Sequence, residues 1–110
     1  MAQMNGVFGE ISTEVCGVAA CDATTGEGAS TADMGFELLN PSGQRVTVSD
    51  NGIAMIDEGI CTVRSDADYI MINGTAVSDG AQFEIHAGEL VQIIMQIGTE
   101  SPYIVVAMGK

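Results

Sequence analysis

From Gly35 onward the chain is broken into short pieces by residues that force the backbone to turn. Asn40-Pro41-Ser42-Gly43, Asp50-Asn51-Gly52, Gly59, Asn73-Gly74, Asp79-Gly80, Ala87-Gly88 and Gly98 to Pro102 punctuate it, at intervals averaging about ten residues. Such intervals leave no room for helices of ordinary length, and no stretch between them has convincing helical periodicity. A chain cut this way must build its core from short strands. The punctuation predicts an all-β fold, an antiparallel β-sandwich or jelly-roll-like domain.

The strands can be read between the breaks. Phe36 to Leu39, Arg45 to Ser49, Ile53 to Ile56, Ile60 to Arg64, Tyr69 to Ile72, Phe83 to His86, Glu89 to Ile97 and Tyr103 to Met108 are the expected segments. Asn73-Gly74 is the strongest hairpin signal, because both residues tolerate the left-handed backbone of a two-residue turn. Asp50-Asn51-Gly52 predicts a second hairpin, joining 45–49 to 53–56. Residues 35–110 thus form the expected sandwich core of a single domain. Residues 1–34 differ. Ile11, Thr13 and Val15 alternate with polar neighbours and predict a strand. Asp22 to Thr31 holds too few large side chains to offset its backbone entropy and reads as an arm or loop.

The last two strands violate the alternation that a solvated sandwich needs. In Leu90 to Ile97 one face carries Val91, Ile93, Met95 and Ile97, while the other carries Leu90 and Ile94 beside Gln92 and Gln96. In Tyr103 to Met108 both faces are apolar. Each such side chain left in water forfeits about 1.5–3 kcal/mol, so something must cover them. Either the amino-terminal segment does so, or a second molecule does. The candidate interface residues are Leu90, Ile94, Tyr103, Ile104, Val106 and Met108.

Charge narrows the partner. The 110 residues hold 15 Asp and Glu against 3 Lys and Arg, a formal net charge of −12. Three basic residues cannot line a phosphate backbone, so nucleic acid is not expected as a partner, and an anionic membrane would repel the chain. The amino terminus lacks a basic region leading into an apolar one, so no secretory segment is expected. The charge also keeps free subunits apart and soluble.

Chemistry-bearing residues are sparse. Cys16, Cys21 and Cys61 are odd in number and are read as buried, inert thiols, with a Cys16–Cys21 bridge as the alternative. Their spacing, with His86 distant, does not make a zinc site. Asp57-Glu58 and Asp66-Ala67-Asp68 read as solvated turns, lacking the oxygen spacing of a calcium loop. His86 alternates in step with Glu84 and suggests a surface pair. No catalytic residue, metal or cofactor is expected, and the chain is not expected to be an enzyme.

The succession Thr62-Val63-Arg64-Ser65-Asp66-Ala67-Asp68-Tyr69-Ile70-Met71-Ile72-Asn73-Gly74, followed by the Ala87-Gly88 turn and two long closing strands, resembles small accessory proteins of tailed-bacteriophage virions. The resemblance covers roughly residues 60–110. It implies a β-sandwich on the exterior of a virion, assembled in the host cytoplasm, which cements or decorates the shell by binding the major capsid protein as a dimer or trimer. A tail or fibre component, or a free-standing adhesion module, is the alternative.

Overall fold

The computed structural model describes residues 20–22, 35–48, 52–99 and 102–110. They form β1 (Ala20–Asp22), β2 (Glu37–Leu39), β3 (Ala54–Ile56), β4 (Gly59–Arg64), β5 (Tyr69–Ile72), β6 (Thr75–Val77), β7 (Ala81–Ile85), β8 (Leu90–Gln96) and β9 (Tyr103–Gly109). No helix occurs among the described residues. The strands make two sheets. The larger runs β1-β9-β8-β5-β6, with β3 also pairing to β9, and the smaller runs β2-β4-β7. The architecture is the all-β sandwich that the turn punctuation predicts.

The connections show how turns dictate layers. β5 and β6 form a hairpin with Ile72 opposite Thr75. Asn73 at φ 49° and Gly74 at φ 84° supply its two left-handed positions. The turn is also tied sideways, because the Gln92 amide donates to Asn73 Oδ1 at 2.9 Å. β4 and β7, which flank this hairpin in the chain, pair with each other in the opposite sheet. β8 then returns beside β5, and β9 folds back antiparallel onto β8.

The core lies between the sheets. Val91, Ile93 and Met95 of β8, Val105 and Ala107 of β9, and Ile70 and Ile72 of β5 pack in one cluster with Leu38, Cys61, Val63 and Ile85 of the smaller sheet. These are alternate residues of each strand, as a two-layer core requires. Side chains this deep contribute about 1.5–3 kcal/mol each, which makes this interior the main source of stability.

Two expected pairings are corrected. Residues 45–48 are not a regular strand: Arg45 makes one antiparallel bridge to Leu39, and the Val46 amide donates to the Leu38 carbonyl at 2.7 Å. Among the described residues, which leave out Ser49 to Asn51, the segment Ile53 to Ile56 does not pair with 45–48 either. β3 crosses to the larger sheet and pairs with β9 in parallel, Ala54 opposite Ala107 and Ile56 opposite Gly109. The reason is burial. Val46 is buried beside the smaller sheet, and Ala54 and Ile56 are buried beside β9. An isolated two-stranded hairpin is marginal in water, so packing overrides the turn signal. The expected strand at 11–15 lies outside the described residues. So does most of the expected arm, although Asp22, assigned to it, ends β1 against Tyr103.

Candidate interaction surface

Period two divides β9 cleanly. Val105 and Ala107 face the core. Ile104 and Val106 form a second cluster with Cys21 and Ile94, with Met71 packed against it, and this cluster lies on the outer face of the larger sheet. The registers agree, placing Cys21 opposite Ile104, Ile104 opposite Ile94 and Ile94 opposite Met71. The outer face is therefore apolar across four neighbouring strands, as the sequence of β8 and β9 implies.

Part of this face is already covered within the single chain, one of the two outcomes the sequence leaves open. Ile104 is 0%, Val106 2% and Ile94 3% exposed within the single chain. Hiding these three requires no second molecule. Tyr103 is corrected in a different sense: it packs against the core cluster, on the inner side, because it shares parity with Val105 and Ala107. Of the six expected interface residues, Leu90 and Met108 remain on the outer face with solvent access. Leu90 is 44% exposed and Met108 is half-buried.

Those two do not stand alone. Met108 is registered against Leu90 on one side and against Met55 of β3 on the other. Met55 is 42% exposed, and its neighbours Ala54 and Ile56 belong to the core, so its side chain shares the outer face. Met55, Met108 and Leu90 thus form one apolar row across β3, β9 and β8. Ile53, two residues before Met55, is exposed as well. Met55 escapes sequence reasoning because the turn chemistry of Asp50-Asn51-Gly52 pairs its segment with 45–49. The apolar run Ile53 to Ile56 is legible, but which strand lies beside it is not.

This end of the sheet is stiff. The Gly109 amide donates to the Glu89 carbonyl at 3.0 Å, the Gly88 amide to the Gly109 carbonyl at 2.9 Å, and the Lys110 amide to the Ile56 carbonyl at 2.9 Å. A side chain at Gly109 would collide with the His86 carbonyl. Carboxylates complete the binding of the turns. Glu89 Oε1 accepts from the His86 amide at 2.9 Å, and Glu58 Oε2 from the Ala87 amide at 3.4 Å. Asp57 pairs with Lys110 at 3.4 Å. Asp57, Glu58 and Glu89 therefore border the row, with Lys110 as their counter-charge.

The same use of acids recurs elsewhere. Asp68 Oδ2 accepts from the Gly98 amide at 2.8 Å, and Asp79 Oδ1 from the Ser65 amide at 3.0 Å. Glu37 holds both Arg45 and Arg64. The expected His86–Glu84 pair does not form; His86 engages Glu89 through its backbone. Cys61 is a buried, free thiol. Burial pushes its pKa up, with the Asp57 carboxylate adding to the shift, so its nucleophilic thiolate is disfavoured. Cys21 departs from the inert-thiol expectation, being disulfide-bonded. Cys16 lies outside the described residues.

Comparison with protein-family models, curated proteins and solved structures yields no match to this chain.

Proposed function

We propose that the chain is a non-catalytic structural module that decorates a tailed-bacteriophage capsid by binding the major capsid protein on the shell exterior. The observation that carries the proposal is what the described acidic side chains do. Asp57, Glu58, Asp68, Asp79 and Glu89 fasten turns and strand ends. They stiffen a plate whose remaining charge faces outward. The segment bearing the virion-protein resemblance, residues 60–110, includes strands β5 to β9 and most of β4. A decorating subunit needs rigidity and a repeated weak contact more than a pocket, because symmetry multiplies each contact over the shell.

The test is co-sedimentation with empty shells assembled from the major capsid protein encoded in the same genome, followed by electron microscopy of the pelleted particles. Saturable binding, with added density at repeated positions on the outer surface, is the expected result. Failure to co-sediment at low and moderate salt overturns the proposal.

A further inference from the structure

The open end of the outer face has two properties that together define what can dock there. Its centre is apolar: Met55 and Leu90 are large, exposed side chains on either side of Met108. Its border is negative, with Asp57, Glu58 and Glu89 against the single ammonium of Lys110, which Asp57 already engages. The two methionines add adaptability, since an unbranched thioether fits many shapes. The strands beneath are pinned at Gly109, so the row needs no ordering on binding.

The charge argues against a second copy as occupant. The chain's three basic side chains, Arg45, Arg64 and Lys110, are each within ion-pair distance of a carboxylate of the same chain. A second copy therefore brings a net charge of −12 and no Lys or Arg side chain without an ion pair of its own. Its approach adds like-charge repulsion to a modest apolar gain. An anionic lipid surface or a nucleic acid fails on the same sign.

We infer that the Met55–Met108–Leu90 row is a docking surface for a different protein, one presenting an apolar patch flanked by lysine or arginine. The inference rests on the shell-decoration proposal only for the partner's identity, and it specifies which face that partner meets and with what charge. Apolar contact supplies the affinity, and the acidic border supplies the orientation and rate of encounter.

The test uses the full chain with methyl-labelled Met, Leu and Ile, titrated with an amphipathic peptide of leucine and lysine. Two control peptides carry glutamate for lysine, or serine for leucine. Shifts at the Met55, Met108 and Leu90 methyls are expected with the leucine–lysine peptide, weakening as salt rises, and neither control should reproduce them. The variant Met55→Ser/Leu90→Ser/Met108→Ser should lose at least about tenfold in affinity while keeping the Ile70 and Ile93 methyl positions of the folded core. Equal binding by the variant, equal binding of the glutamate peptide, or a concentration-dependent dimer that the variant abolishes overturns the inference. The variant is also applied to shells. If it binds them as the parent chain does, the docking inference falls and shell decoration stands. If the parent chain ignores shells but binds the peptide at this row, shell decoration falls and the docking surface stands.

Discussion

Along β9, the outward side chains Ile104, Val106 and Met108 follow one another at every second position, equally apolar and on one face. Ile104 and Val106 are covered by their own chain, whereas Met108, with Met55 and Leu90 at its sides, meets solvent. The hydrophobic effect acts on both halves alike and is indifferent to what removes the water. Sheet pairing does not make the difference, because both halves have a strand on the same edge of β9, Cys21 of β1 against Ile104 and Met55 of β3 against Met108. One half of the face thus stabilises the subunit, and the other still meets solvent.

The largest effect expected from this comparison is at Ile104. Ile104→Ala removes a side chain with no exposure and should cost about 2–5 kcal/mol. A urea midpoint shift at unchanged m is the measurement. A loss no greater than that of an exposed alanine substitution would mean that the two halves are equally open, and the contrast would collapse.

Gly109 is next. Any Cβ added there meets the His86 carbonyl, a backbone group that cannot rotate aside. Gly109→Ala should therefore cost about 1–3 kcal/mol, the usual range for overpacking, and should displace the Met108 methyl resonance by distorting the open end. Full stability with an unmoved methyl would show that this end is slack.

The disulfide at Cys21 sharpens the contrast from the covered side. The sequence holds three cysteines and Cys61 is free, so non-reducing peptide mapping is expected to join Cys21 to Cys16. Cys21→Ser should cost about 2 kcal/mol, the entropy of closing a short loop. The loss should appear as proton exchange at Ile104 and Ile94 before it appears at the core strand β4. Uniform exchange across both sheets would instead make the disulfide a global clamp.

Much of this molecule was legible before its coordinates. The Asn73-Gly74 hairpin followed from local backbone chemistry, and the division of β8 and β9 into two faces followed from period two. What escaped is non-local. β3 was visible as Ile53 to Ile56, but its pairing with β9 is decided by where Ala54 and Ile56 bury, which no turn signal encodes. β1 is three residues with no periodicity to detect, and its place beside Tyr103 to Val105 depends on packing. Tyr103 was assigned to the outer set because the whole strand is apolar, and only the neighbours' burial separates its inner parity from that of Ile104. Above all, sequence shows that a face is greasy without showing who covers it.

The smallest expected effect is the most telling. Leu90→Ser and Met108→Ser should each cost about 1 kcal/mol, part of a full side-chain burial and well below the Ile104→Ala loss. Leu90 is 44% exposed and Met108 half-buried, so each forfeits only part of a full side-chain burial. The β8–β9 ladder is made by backbone groups that serine retains. The Ile104 and Ile94 methyls, sheltered on the same face, should not move. A midpoint shift approaching that of Ile104→Ala would mean that the open row already serves the subunit's own folding. Its apolar surface would then have no surplus to offer a partner. A small loss leaves the exposed parts of Leu90 and Met108, on an acid-bordered edge, as apolar surface that the isolated chain does not use.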